Sequence, residues 1–167
     1  MTTTSNGVLL RSAEPADVPF ILALIGELSD YEHMRVHVVA TEADIERSLF
    51  APDARVFCEI AEHDGVPAAF ALWHYNFSTF LGRPGLYLED LFVRPAQRRM
   101  GIGRALLAKL AKRCVDENLG RLQWTVVDWN TNAIRFYEGL GAKLDHEWLG
   151  CRLQGDALKL LGTSSSD

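Results

Sequence analysis

Cysteine is scarce: the 167 residues hold three, Cys58, Cys114 and Cys151. They form no CxxC pair and no Cys/His cluster, so no metal site is expected. An odd, sparse count excludes a disulfide framework and fits a reducing compartment, so a cytoplasmic protein is expected. No apolar run approaches the length of a membrane span. Met1 to Gly7 is polar and does not read as a signal peptide. Positive charge is also in deficit, with 17 Lys and Arg against 22 Asp and Glu, a formal charge of −5. That balance disfavours nucleic acid or an anionic membrane as the partner. The five histidines lack metal-ligand spacing and read as surface or hydrogen-bonded structural groups.

What is present suits one α/β domain. A length of this size is enough for one core without cross-links. The domain is expected over residues 7–161, with 1–6 and 162–167 as flexible termini. Val8 to Arg11 reads as a strand. Phe20, Ile21, Leu24, Ile25 and Leu28 recur at helical spacing, ending near Tyr31 to Met34. Thr41 with Asp44 resembles a capping box for a second helix through Leu49. Arg55 to Glu62 and Val66 to Asn76 read as strands joined by the hairpin signal His63-Asp64-Gly65. Gly85 to Arg94 is the next strand, stopped by Pro95. A helix from Gly101 to Asn118 buries Leu106, Leu107, Leu110 and Cys114. Leu122 to Asp128 reads as a strand, and Asn130 opens a helix that Gly141 stops. Lys143 to Trp148 and Cys151 to Leu161 are expected to add one or two last strands. The predicted architecture is a mixed central sheet of six to seven strands, with a central parallel βαβ unit and flanking helices.

The chemistry concentrates between Leu88 and Leu107. A strand carrying Glu89 and Asp90 runs into Arg98-Arg99-Met100-Gly101-Ile102-Gly103-Arg104, and then a helix. A helix start offers unpaired N–H groups and the positive end of the macrodipole. Two glycines remove side chains that would hold a phosphate away from those groups. Arg98, Arg99 and Arg104 add charge at the same place. A third fingerprint glycine and a Gly-Lys-Ser/Thr are both missing, so neither a Rossmann nor a Walker site is indicated. A phosphorylated cofactor beside a carboxylate base is the chemistry this arrangement suggests.

Arg98-x-x-Gly101-x-Gly103, followed by Asp128-Trp129-Asn130 and Ala133 to Ala142, resembles the GNAT superfamily of acetyl-CoA-dependent N-acetyltransferases. The likeness runs from Val8 to about Leu153. Within that superfamily the chain is most similar to the diamine acetyltransferases, of the spermidine/spermine and thialysine types. Ile25-Gly26-Glu27-Leu28, Tyr31-Glu32-His33-Met34, Leu86 to Val93, and Arg152-Leu153 carry this closer match. The resemblance implies the GNAT fold, acetyl-CoA as co-substrate, no metal, a small amine as substrate and a homodimer. It implies that the backbone of Leu91, Phe92 and Val93 pairs with the pantetheine arm, and that one N–H there stabilises the oxyanion. It implies that Arg98 to Arg104, including Met100 and Ile102, hold the pyrophosphate, with Asn130 near the cofactor arm. Tyr137 matches the acid that protonates the departing thiolate. Glu89 matches the base, acting through water. Tyr31, Glu32, Glu89 and Asp90 match the substrate site.

The chemistry is consistent with these roles. An amine with a pKa of about 10.4 is only roughly one part in two thousand neutral at pH 7. Only the neutral form attacks, so a proton must be taken from it. Some readings stay open from the residues alone. Asp90 suits a catalytic, a cation-holding or a structural role. Tyr137 shares a helical face with Ile134 and Leu140 and suits a core position as well as a catalytic one. Asn130 is also a good helix N-cap. The match departs from the polyamine enzymes in two places: the loop Asn76 to Pro84 carries Arg83 where they tend to be acidic, and Cys151 stands where they have Trp. Both changes point to a shorter diamine or a lysine-like amine. The alternatives are a protein or antibiotic N-acetyltransferase, and a non-catalytic acetyl-CoA sensor.

Overall fold

Alternating apolar residues build the sheet, and helical spacing builds the layers against it. The computed structural model describes residues 7–33 and 38–164, together with the backbone of Thr2–Thr3. Six strands lie side by side in sequence order: β1 (Thr2–Thr3), β2 (Val8–Ser12), β3 (Val56–His63), β4 (Val66–Ser78), β5 (Arg83–Val93) and β6 (Leu122–Gln123). All neighbours are antiparallel except β5 and β6, which are parallel. The helices are α1 (Val18–Tyr31), α2 (Glu42–Phe50), α3 (Ile102–Asp116), α4 (Thr131–Glu138) and α5 (Gly155–Thr163). The chain divides into two compact units, residues 1–125 and 126–167. The first contains the whole sheet with α1 to α3, and the second contains α4 and α5.

Several local signals act as the sequence suggests. Thr41 Oγ1 accepts from the Asp44 N–H at 3.3 Å, and Asp44 accepts from the Thr41 N–H at 3.0 Å, closing a reciprocal cap on α2. Asp64 and Gly65 both take positive φ, 53° and 75°. That is the two-residue hairpin turn whose twist matches the flanking strands β3 and β4. The parallel β5–α3–β6 unit forms as expected.

The two faces of the sheet separate by strand alternation. Cys58, Ile60, Phe70 and Phe92 form a core with Ile21 and Leu24 of α1. On the opposite face α3 buries Ile102, Leu106, Leu107, Leu110 and Cys114. There Lys109 pairs with Glu59, which lies between Cys58 and Ile60 on β3. Arg113 lies over the Trp73 ring of β4 at 4.9 Å.

The late strands are the main correction. Among the described residues only four of the six strands exceed two residues, so the expected six to seven full strands are not formed. The predicted strand from Leu122 to Asp128 ends at Gln123, two positions short of where its register would reach the irregularity in β5 at Glu89. Lys143 to Trp148 forms no strand: Asp145 accepts from the Glu147 N–H at 3.2 Å, a local bond that competes with a ladder. Cys151 to Leu161 forms no strand either, and its second half is α5. Ala157, Leu158, Lys159, Leu160 and Leu161 all favour helix, and Asp156 sits in the first turn where the macrodipole favours an acid. Thr2–Thr3, expected in a flexible start, form β1, and Gly162 and Thr163 close α5. The remaining terminal positions, 1, 4–6 and 165–167, and Met34 at the expected end of the first helix lie outside the described residues.

A buried ion cluster ties β2 to the entry of α1. The Arg11 guanidinium donates to both oxygens of Asp17 at 2.6 and 2.7 Å, and its Nε donates to Glu62 at 2.6 Å. These side chains are 10–15% exposed. The hydrogen bond from Arg11 holds the Asp17 carboxyl below its ordinary pKa despite the opposing effect of burial. Arg11→Leu strands two buried carboxylates. It is expected to cost about 3 kcal/mol, read as a lower urea midpoint at unchanged slope.

Candidate active site

The site is organised by one extra residue in β5. The β4–β5 register pairs Leu72 with Asp90 and Trp73 with Leu88, leaving Glu89 without a partner. This is a β-bulge, which bends its strand and re-aims side chains. Before it, Leu86 and Leu88 pair with Tyr75 and Trp73 on the α3 face. After it, Asp90 and Phe92 pair with Leu72 and Phe70 on the α1 face. Glu89 also turns to that side, where its Oε2 lies 3.7 Å from His74 Nε2. Two consecutive acids therefore reach one face, which regular alternation forbids.

The acids share that face with the end of α1. Asp90 is pushed up to about 6, first by burial, then by the charge of Glu89, then by that of Glu32. Burial also raises Glu32 above its ordinary range. Glu32 caps the C-terminus of α1, directly after Tyr31. The structure thus brings together Tyr31, Glu32, Glu89 and Asp90. A cluster of carboxylates with this much mutual repulsion gains from a bound cation.

The bulge also lies on an open edge. β5 and β6 pair only at Leu86–Leu122 and Tyr87–Gln123. On its other edge, the Arg94 N–H bonds the Ala68 carbonyl of β4 at 3.0 Å. By strand alternation the backbone groups of Leu91 and Val93 then face away from β4, toward the open edge. The Val93 carbonyl is taken by Arg98 Nε at 3.0 Å. The N–H groups of Leu91 and Val93 are placed to receive an amide-bearing chain laid along that edge.

Past Val93 the chain makes a short 3-10 turn, Pro95–Gln97, and enters α3. Arg99 and Gly101 take positive φ, 67° and 81°. Gly101 is the N-cap of α3, a left-handed position that favours glycine. The first helical bond runs from the Ala105 N–H to the Gly101 carbonyl at 2.9 Å. The N–H groups of Ile102, Gly103 and Arg104 therefore precede the helical ladder and suit an anion. Arg99, Met100, Gly101 and Arg104 are exposed, while the Ile102 side chain is 1% exposed and anchors the turn in the core. This cradle of N–H donors, continuous with the open edge of β5, suits a ligand that joins an anionic group to an amide-bearing chain.

Arg98 differs from its neighbours. Its guanidinium stacks over Tyr31 at 4.8 Å and over Phe92 at 5.7 Å. It links the glycine turn before α3 to the end of α1. Asn130 and Tyr137 lie on α4 of the second unit. Asn130 caps that helix, its side chain accepting from the Ala133 N–H at 3.2 Å. Tyr137 neighbours Phe136, with ring centroids 5.3 Å apart. Among the described residues, no group of three His, Cys, Asp or Glu is placed to hold a metal ion.

Sequence reasoning missed His74 and Tyr87, whose rings stack 5.3 Å apart beside Glu89. The available signal was the apolar pattern of β5. Leu86 and Leu88 hold one parity, Leu91 the other, and two acids lie between.

A family model described as "Acetyltransferase (GNAT) family" matches residues 22–142. An L-ornithine N5-acetyltransferase of Arabidopsis thaliana is 34% identical over 91% of this chain and 86% of its own length. A thialysine N-epsilon-acetyltransferase of Bos taurus is 32% identical over 92% of this chain and 96% of its own. Among solved structures, an integron cassette protein from V. cholerae superposes with a TM-score of 0.78 at 27% identity, covering 95% of this chain and 99% of that one.

The raised Asp90 has a sign for stability. A carboxyl whose folded pKa exceeds its unfolded value makes folding less favourable as pH rises from about 4 to about 6. Asp90→Asn removes that cost. The variant is expected to gain on the order of 2 kcal/mol over wild type at pH 7 and to match it near pH 4, in urea melts at both pH values.

Proposed function

The chain belongs to the acetyltransferase (GNAT) family, and from that membership we propose that it moves acetyl from acetyl-CoA to a primary amine of a small diamine, polyamine or lysine-like substrate. The observation that carries the reading is the carboxylate cluster of Glu32, Glu89 and Asp90 beside the opened edge of β5. An ammonium is the ligand such a cluster attracts, and it stands next to where a thioester fits.

Acetyl-CoA supplies the acetyl group as an activated thioester. Transfer is direct, without a covalent enzyme intermediate. Glu32 and Asp90 hold the cation, aided by the Tyr31 face. Glu89, which is more than half exposed, takes the proton through water so that the amine lone pair is freed. Leu91 and Val93 present backbone N–H groups to the co-substrate, and one of these stabilises the negative charge that develops on the carbonyl oxygen. The helix start from Arg99 to Arg104, with Met100, Gly101, Ile102 and Gly103, holds the diphosphate, while Arg98 braces the turn against Tyr31. The family resemblance gives Asn130 a role beside the cofactor arm. Tyr137 donates the proton that the sulfur needs to leave.

The substrate is a short amine. The relatives named above are described as acting on ornithine and thialysine, which supports a short amine. The reading includes one domain over residues 7–161, in keeping with a family match from 22 to 142. It also includes a homodimer in the cytoplasm. No helix among the described residues is long and apolar enough to cross a membrane.

Thiol release from acetyl-CoA over a panel of ornithine, thialysine, lysine, short diamines and spermidine tests the proposal. Turnover is expected with the short amines, and binding of acetyl-CoA without turnover on any amine would instead indicate a sensor. Tyr137→Phe is expected to lower kcat by about 100-fold with acetyl-CoA affinity unchanged; unaltered kcat removes Tyr137 from the mechanism. Because Asp90 becomes neutral below about pH 6, KM for the amine is expected to rise as pH falls through that value, and less so in Asp90→Asn.

A further inference from the structure

His74 is not part of the pattern that identifies the family site, yet it is fixed against the proposed base from three directions. Its Nδ1 lies 3.0 Å from the Tyr75 carbonyl oxygen. A carbonyl only accepts, so Nδ1 carries the hydrogen and the neutral ring has its lone pair on Nε2. That nitrogen faces Glu89 Oε2 at 3.7 Å. The ring plane is set by stacking on Tyr87 at 5.3 Å and 29°. Tyr87 is itself held by its hydroxyl on Thr125 Oγ1 at 3.4 Å. His74 and Tyr87 are register partners across β4 and β5, so the stack belongs to the ladder. The bulge then brings Glu89 to the same side.

We propose that His74 is the proton-relay partner of Glu89: it accepts at Nε2 the proton that Glu89 takes from the substrate ammonium, and returns it to solvent. This rests on the acetyltransfer reading above and extends it.

The steps balance. An N–H bond of the ammonium breaks and its electron pair stays on nitrogen as the attacking lone pair. The proton passes to a water, which gives up one of its own to form an O–H bond on Glu89. That proton then moves to the Nε2 lone pair, restoring the carboxylate and giving an imidazolium. The imidazolium loses it to water, since His74 is 37% exposed at its side chain. A movement of under about 1 Å in the exposed Glu89 carboxylate closes the gap to hydrogen-bond length. Imidazole suits the task because one ring nitrogen keeps its hydrogen while the other offers a lone pair to a proton. His74 acts through Glu89, so it is a positioning residue with a proton-accepting nitrogen.

Two measurements test the pair. In the wild-type protein, imidazole 15N chemical shifts at a pH where the ring is neutral are expected to show hydrogen on Nδ1 and a bare Nε2; hydrogen on Nε2 overturns the relay. In kinetics with the best amine of the panel, His74→Phe retains a ring to stack on Tyr87 and is expected to lower kcat about 10-fold, with KM for acetyl-CoA unchanged. In the Glu89→Gln background the same change is expected to alter kcat less than about twofold, because a relay has nothing to relay. Losses that multiply, or a His74→Phe enzyme with full kcat, overturn the proposal. A wild-type protein that acetylates no amine overturns the acetyltransfer reading and the relay with it. An active wild type indifferent to His74→Phe overturns the relay alone.

Discussion

A strand cannot place two adjacent side chains on one face unless its pairing slips, and the slip at Glu89 is the constraint on which the rest of this site depends. It reverses the parity of β5, so that Leu88 faces α3 while Asp90 and Phe92 face α1. It lies two positions past the end of the β5–β6 ladder. It brings Glu89 beside His74. The acidic cluster is therefore a consequence of one inserted residue, and the open strand edge runs past it. The long β4 strand keeps the distortion local: it pairs with β3 along one side and resumes its pairing with β5 on either side of the bulge.

The two sides of the site are joined through Arg98. Its Nε holds the Val93 carbonyl, and its guanidinium covers Tyr31 and Phe92. A residue in the phosphate-binding pattern thus also supports an aromatic ring next to the carboxylates. Arg99 and Arg104 are two further exposed cations at the turn. Charge is divided accordingly, with basic groups and free N–H donors at the helix start and acidic groups across the bulge. On the proposed function, this division of charge would sort an anionic co-substrate from a cationic amine before they meet.

Much of this was legible in the sequence because it depends on local rules. The Thr41–Asp44 cap, the Asp64–Gly65 turn and the buried face of α3 follow from spacing and residue type alone. The Gly101 turn followed from the glycine pattern, and the grouping of Tyr31 and Glu32 with Glu89 and Asp90 from family resemblance. What was not legible depends on pairing between distant segments. His74 gained its place from a cross-strand register with Tyr87, which no local pattern around either residue reveals. The late strands were misread for the opposite reason. Apolar residues between Lys143 and Leu161 suggested a ladder, but Asp145 satisfies a local backbone donor and the Ala-Leu-Lys-Leu-Leu run favours helix. β-formers after Leu122 raised the expectation of a longer strand, but the pairing stops at Gln123, two positions short of the irregularity in its neighbour.

The pairing of Lys109 with the buried Glu59, and of Arg113 with the face of Trp73, fastens α3 to the sheet at two points one turn apart. A helix pinned by oil alone can roll about its axis by small amounts. One keyed by a charge set into the sheet cannot, because rolling would strand Glu59 without a counterion. The azimuth of α3 is thereby locked, and with it the aim of the three N–H groups at its mouth. The helix start is thus a fixed socket for an anion, and any adjustment of the site is left to the exposed side chains around the bulge.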